Sequence, residues 1–239
     1  MKEKKLILSG VYKSFGDKDV LNNITLDVCA GEHVTVLGPS GCGKSTLMNI
    51  LTGVHTADRG EVFVNGKIGY MQQKDLLLPW KTCMENVILP ELLSGTSKAD
   101  AVERAKPFFS TFGLEGFENA RPAEMSGGMR QRASLLRTFL SSGEIFLLDE
   151  PFGAVDSITR GNLQKWLIDV SKELGLTILM ITHDIEEAIL LSDRIYVLSD
   201  KPASVRDEIV VDFSKEHKQE RLFDPGFLEL KRQILKDLM

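Results

Sequence analysis

Eight consecutive residues carry the strongest chemical signal in the chain: Gly38-Pro39-Ser40-Gly41-Cys42-Gly43-Lys44-Ser45 fits the pattern G-x-x-x-x-G-K-[ST] in full. Glycines let such a loop turn so that several backbone N–H groups face inward, and a following helix presents its positive N-terminal end to the same anion. A phosphate chain is the matching ligand. Lys44 would contact the β- and γ-phosphates, and the Ser45 hydroxyl would ligate Mg²⁺. The plainer alternative is a glycine-rich turn with an incidental lysine, and Cys42 reads most simply as a small filler residue. A second signal is Ile145-Phe146-Leu147-Leu148-Asp149-Glu150, four apolar residues ending in two acids. On a strand this places charge at the carboxyl edge of a parallel sheet, where ligands bind. Neighbouring strand side chains diverge, so the acids take different roles: Asp149 in the Mg²⁺ shell, Glu150 polarising the water that attacks the γ-phosphate. Helix-capping acids before Pro151 remain the alternative. A third signal, Ser126-Gly127-Gly128 before a helix expected over Met129–Leu140, has the chemistry of a second anion site. One chain cannot easily bring both anion sites to one γ-phosphate.

The elements that must position these residues follow from hydrophobic spacing. Leu6-Ile7-Leu8 and Val20 to Val28 read as strands joined by the polar turn Gly16-Asp17-Lys18-Asp19, an antiparallel start. Val34 to Leu37 is a compact β-branched run leading into the glycine loop, and a helix follows from Lys44 to about Gly53. After a turn at Asp58-Arg59-Gly60 come strands at Glu61–Val64 and Ile68–Met71. A largely helical middle from about Met84 to Leu140, broken by Pro, Gly and Ser, has the pattern of an inserted helical subdomain. From Ile145 the pattern is again strand and helix by turns: strand 145–148, helix 158–174, strand Thr177–Ile181, helix Ile185–Leu191, strand Arg194–Leu198. Such alternation implies a parallel sheet covered on both faces. Phe227, Leu228, Leu230, Ile234, Leu235 and Leu238 recur at helical spacing over Pro225–Met239, which predicts a docked terminal helix.

With 239 residues, 43% of them hydrophobic, the chain can bury a sizeable core, which excludes disordered and fibrous classes. No apolar run reaches the roughly 20 residues of a membrane-spanning helix, and Met1-Lys2-Glu3-Lys4-Lys5 leads into a strand rather than an apolar signal core. A soluble, unsecreted protein is expected. Lys+Arg 29 against Asp+Glu 34 gives a net charge of −5, the wrong sign for a general nucleic-acid binder, so Arg130, Arg132 and Arg137 read as a solvated or ion-paired helix face. Cys29, Cys42 and Cys83 are far apart and form no CxxC pair, as expected of a reducing compartment.

In the order of these signals the sequence resembles the ATP-binding subunits of ABC transporters, whose hallmark is an LSGGQ-like motif between the phosphate loop and the acidic strand. The resemblance covers most of the chain. It implies an α/β fold: a P-loop NTPase parallel-sheet core with an N-terminal antiparallel β region and an inserted helical subdomain at about 84–140. Residues 1–239 form a single ATPase domain in this reading, with 225–239 as its C-terminal docking helix. It further implies that Phe15 stacks on adenine and that Gly38, Pro39, Ser40, Gly41, Cys42, Gly43, Lys44, Ser45 and Thr46 hold the phosphates of ATP. Gln73 matches the Q-loop glutamine, Ser126 to Gln131 the signature motif with Ser126, Gly127, Gly128 and Gln131 at the nucleotide, and Ala154-Val155-Asp156 the D-loop. His183 matches the switch histidine, so Glu150, His183 and Gln73 form the catalytic set, and Ser45, Gln73 and Asp149 the Mg²⁺ set. Met125 stands where leucine is usual, Met129 where many members have glutamine, Val155 in place of a D-loop leucine, and Gln72 where an aromatic is common; the doubled glutamine leaves Gln72 open beside Gln73. Read alone, His183 is as well a capping or packed histidine, and Phe15 a core or turn aromatic.

The resemblance implies a head-to-tail pair of subunits with each ATP between Lys44 of one chain and Ser126 of the other. Closure then moves a separate membrane permease, to which a solute-binding protein delivers the solute, and the ATPase sits peripherally on the cytoplasmic face of the inner membrane. The permease contact is expected around Gln73 to Pro90, where Leu76-Leu77-Leu78-Pro79-Trp80 is an apolar run suited to a partner pocket, or else to packing within its own domain. Leu77 to Trp80, Glu150 to Asp156 and Asp224 to Leu228 look like the nitrate, sulfonate and taurine importer branch, which includes importers of pyrimidine precursors. The chain stops soon after the last helix, leaving no room for the regulatory domain of sugar-importer ATPases. A soluble ABC-type ATPase acting on a non-membrane partner is the alternative, but such proteins usually carry two cassettes or a coiled-coil insertion, and this chain has one cassette and no sustained heptads. A nucleotide-binding regulator would lack Glu150.

Overall fold

The computed structural model describes residues 3–142, 144–153, 155–213 and 221–238. Ala154 of the expected D-loop, Met239 of the expected terminal helix, and Met1 and Lys2 lie outside the described residues. In chain order the first elements are β1 (Lys4–Phe15), β2 (Lys18–Cys29), β3 (His33–Leu37), α1 (Lys44–Leu51), β4 (Arg59–Val64) and β5 (Ile68–Met71). There follow α2 (Cys83–Val87), α3 (Leu89–Leu93), α4 (Lys98–Thr111), a short 3₁₀ turn at Pro122–Glu124, α5 (Gly127–Ser142) and β6 (Ile145–Asp149). The last are α6 (Ser157–Leu174), β7 (Thr177–Thr182), α7 (Ile185–Leu191), β8 (Arg194–Leu198), β9 (Val205–Val210) and α8 (Pro225–Leu238). The chain divides into two units, residues 1–66 with 175–239, and residues 67–174.

In the first unit β1 lies between β2 and β4, antiparallel to both. Leu6 and Leu8 of β1 face Val28 and Leu26 of β2, and all four are buried, as the alternating pattern requires. β3 runs parallel between β7 and β8, and every residue of β3 and β7 is buried. That explains their predominantly apolar composition; the polar members His33, Thr35, Thr177 and Thr182 are buried as well. The antiparallel edge strand β9 escapes sequence reading because Arg206-Asp207-Glu208 masks its alternation. Its Glu208 receives a hydrogen bond from Arg194 of β8 at 2.7 Å, and Arg194 also pairs with Asp27 and Glu32, each at 3.0 Å. Phe227 and Ile234 of α8 pack with Leu37, Ala188, Ile189 and Val197 in one apolar cluster. Leu228 and Leu235, expected to dock with them, are 62% and 44% exposed. One residue further along a helix is a rotation of about 100°, so these two fall on the flank of a buried stripe only one residue wide.

The second unit holds the parallel pair β5–β6 beneath α5. The breaks in its helical stretch are local. Thr82 caps α2 in a reciprocal capping box with Glu85, Pro90 opens α3, and the Ser97 side chain caps α4. Phe139 of α5 stacks on Phe146 of β6 with centroids 6.0 Å apart and meets Phe108 edge-on at 4.8 Å. Trp166 of α6 closes this aromatic core, its Nε1 donating to Thr111 O at 3.1 Å.

Candidate functional site

The glycine loop connects β3 to α1 in the first unit. Gly43 sits at φ 129°, outside the range of L side chains, and a Cβ there would lie 3.0 Å from both Leu21 Cδ2 and Val20 Cγ1. Backbone conformation and packing therefore both demand glycine at this position. Lys44 is only 6% exposed; its Nζ donates to Gly38 O at 2.7 Å and Pro39 O at 2.9 Å, so the ammonium is held against carbonyls of its own loop. Ser45 is exposed and Thr46 half-buried at the start of α1, while Cys42 is buried as filler. Burial pushes its thiol up, although Lys44 opposes the shift.

Phe15 ends β1 with its ring 44% exposed, which removes the core-aromatic alternative. It meets His55 edge-on at 5.2 Å, and Lys13 Nζ lies 5.4 Å from its centroid. His55, absent from sequence reading, supports the ring from a turn forty residues away in sequence, which no local pattern signals. His183 follows β7 and is exposed. It is not the cap of α7: that is Asp184, whose Oδ1 accepts from Glu186 N at 2.8 Å and Glu187 N at 3.2 Å.

The acidic pair lies in the second unit. Ile145 to Leu148 are buried, and Asp149 and Glu150 emerge half-buried. Tyr70 Oη donates to Asp149 Oδ2 at 3.2 Å. Burial first, and then the Asp149 charge, push the phenol's pKa well up, so it remains a donor at physiological pH. Glu150 has φ 46°, a left-handed backbone that costs a non-glycine residue roughly 1–3 kcal/mol. Its Oε2 accepts from Gln73 Nε2 at 2.9 Å, which favours Gln73 over Gln72 as the glutamine of the acidic site. No helix starts at Pro151; α6 begins at Ser157 and is capped by Asp156, whose Oδ1 accepts from Ile158 N and Thr159 N, each at 3.1 Å. The helix-capping reading of Asp149 and Glu150 is thereby removed. A hydrogen bond from the Thr159 side chain, and after it these backbone bonds, hold the Asp156 carboxyl below its ordinary range.

Helix α5 starts at Gly127, two residues earlier than expected, because Ser126 Oγ accepts from Met129 N at 3.2 Å and so draws both glycines into the first turn. Ser126 is exposed, and Gly128 is pressed against α6, where a Cβ would fall 2.7 Å from Thr159 Cγ2. Gln131, expected beside them at the nucleotide, is instead 3% exposed and turned inward, its Nε2 donating to Pro151 O. Four residues along a helix return to the same face but one turn deeper, which carries this amide under the acidic strand's exit. The loop after β5 is fastened to α5 by Arg130 and Arg137, and its Trp80 is 69% exposed. The alternative of a run packed into its own domain holds for Leu77, which is buried, and not for Leu76 or Trp80, which are exposed.

A family model described as ABC transporter matches residues 21–153, more than half of the chain. The formylaminopyrimidine import ATP-binding protein of Halalkalibacterium halodurans is 44% identical over 194 residues, 80% of this chain and 78% of that protein. The taurine import ATP-binding protein of Pseudomonas aeruginosa is 36% identical over 233 residues, 92% and 89% of the two chains. Among solved structures, a dimeric ATP-binding cassette in a post-hydrolysis state with ADP and Pi superposes with a TM-score of 0.73 at 31% identity, covering 87% of this chain and 99% of that one. The chain belongs to the ABC transporter family, as one of its ATP-binding, ATP-hydrolysing subunits in the branch that resembles nitrate, sulfonate and taurine importers.

Proposed function

We propose that this subunit hydrolyses ATP in a head-to-tail dimer to drive uptake of a small solute, of the nitrate, sulfonate or taurine type, through a separate permease. The observation that carries the catalytic part is Glu150: a carboxylate on a left-handed backbone at the end of the acidic strand, hydrogen-bonded to Gln73. In this reading Phe15 stacks on adenine, Gly38 to Thr46 wrap the phosphates, and Lys44 balances the γ-phosphate charge. Ser126, Gly127 and Gly128 of the second copy present the start of α5 to the same γ-phosphate. Glu150 takes a proton from water as its oxygen bonds to the γ-phosphorus and the bond to the bridging oxygen breaks, releasing ADP and Pi. His183 and Gln73 position the water, and Asp156 serves through the turn it caps. Gln131 acts from behind, on the turn at Pro151.

Ser45, Gln73 and Asp149 bring a hydroxyl, an amide and a carboxylate, the hard oxygen donors that Mg²⁺ prefers in small number beside substrate phosphates. Among the described residues no group of three His, Cys, Asp or Glu could hold a metal by itself, which suits an ion bound chiefly through its nucleotide. Bound there, Mg²⁺ would neutralise charge on the β- and γ-oxygens. Relatives named as taurine and formylaminopyrimidine import proteins support the transport reading. No helix among the described residues is long and apolar enough to cross a membrane, so translocation falls to a permease, which we place against the exposed Trp80 loop within Gln73–Pro90, at the cytoplasmic face of the inner membrane. A solute-binding protein acts indirectly through that permease.

The test is Glu150→Gln. It should retain ATP affinity, lose about 10²–10⁴ in turnover, and run as a dimer on gel filtration with ATP. Near wild-type turnover, or a monomer at saturating ATP and high protein concentration, would overturn this reading.

A further inference from the structure

Two arginines of α5 remain unexplained by the reaction just described. Arg130 and Arg137 are seven residues apart, two helical turns, and so share a face, whereas Arg132 points elsewhere and lies over the Trp166 ring at 5.4 Å. Arg137 Nη1 donates to Leu76 O at 2.9 Å and its Nη2 to Asp75 O at 2.6 Å, so the planar fork grips two consecutive carbonyl groups. Arg130 Nε donates to Asp75 Oδ2 at 3.1 Å while its Nη1 donates to Met125 O at 2.8 Å, which ties the residue before Ser126 to the same loop. The gripped segment is strained: Leu76 has φ 46°, a conformation a bulky side chain keeps only where its surroundings impose it. Two residues upstream of Asp75, Gln73 holds Glu150 at 2.9 Å.

We infer that Arg137, with Arg130, is a positioning residue for hydrolysis: it fixes the loop at Asp75 and Leu76 so that Gln73 presents Glu150 in its working orientation. The inference rests on the catalytic roles proposed for Gln73 and Glu150. Arg137 touches neither residue and acts through the loop backbone, so its loss should slow turnover and leave nucleotide affinity alone.

The experiment is a double-mutant cycle on the full chain, with kcat, KM for ATP and melting temperature read for Arg137→Met, Gln73→Ala and the pair. Arg137→Met should lower kcat about tenfold with KM within about twofold, and the pair should be no slower than Gln73→Ala alone, because both act on Glu150 by one route. Arg137→Lys, which keeps the charge but reaches one carbonyl only, should recover part of kcat. Unchanged kcat in Arg137→Met, a KM that rises as kcat falls, or losses that multiply in the pair would overturn the inference. Should Arg137→Met not fold, unchanged kcat in both Arg137→Lys and Asp75→Asn does so instead. A Gln73→Ala variant with full turnover would show that the proposed catalytic role of Gln73 itself had failed.

Discussion

Replacing Trp80 with alanine separates docking from folding, because most of this side chain's surface lies outside the core. Fully buried, a tryptophan covers about 150–250 Å². With 69% of Trp80 exposed, about 140 Å² remains for a partner to cover, and at about 25 cal/mol per Å² that is at most about 3.5 kcal/mol of docking free energy. The third already covered amounts to about 60 Å², at most about 1.5 kcal/mol of folding stability. For a chain of this size such a loss lowers the melting temperature by no more than about 6 °C. Trp80→Ala should therefore weaken the complex with the permease by about 2 kcal/mol or more, roughly thirtyfold in affinity, while ATP hydrolysis by the isolated subunit stays near wild type. One preparation suffices for scanning calorimetry, phosphate release and recovery of the permease complex in detergent. Full recovery of the complex would refute the docking argument, and so would a fall of well over 6 °C accompanied by lost ATPase activity, the signature of a core tryptophan.

Lys44→Ala should abolish the rise in melting temperature that ATP confers on the wild type, about 2.7 kcal/mol at one hundred times Kd, and hydrolysis with it; a preserved ATP shift with normal turnover would remove Lys44 from the phosphate site. A pH prediction follows from Asp27, where burial pushes the carboxyl up but Arg194 at 3.0 Å and Lys4 at 3.2 Å outweigh it and leave the group below its ordinary value. A lowered carboxyl stabilises the fold above its unfolded value and loses that contribution as pH falls through the lowered one, so wild-type melting should drop more steeply below about pH 4 than that of Asp27→Asn. Parallel acid limbs in the two proteins would contradict it.

Some of this was legible because it is local. The glycine loop, the acidic strand end and the serine before α5 depend on contiguous residues and on backbone geometry that a few neighbours impose, and each stands where its pattern predicts. β9 was hidden because an edge strand tolerates charge on its open side, so Arg206, Asp207 and Glu208 erased the alternation that reveals buried strands. The terminal helix was foreseen, but the width of its buried stripe was not: spacing shows which residues share a face and not how much of that face a neighbour covers.

By itself the sequence determined the phosphate chemistry, since a loop that must turn around an anion needs glycines and a lysine at set positions whatever surrounds it. The resemblance already groups Gln73 with Asp149 and Glu150 and leaves Gln72 open beside it; only the tertiary structure favoured Gln73 and added Tyr70 and Arg137. Tyr70 reaches Asp149 across 79 positions, Gln73 reaches Glu150 across 77, and Arg137 reaches Leu76 across 61. The same holds for Trp80, whose composition suits a core or an interface equally and whose exposure settles against the core. Partners this remote are chosen by strand register and by which face of α5 meets the loop, and those are properties of the packed chain rather than of any segment in it.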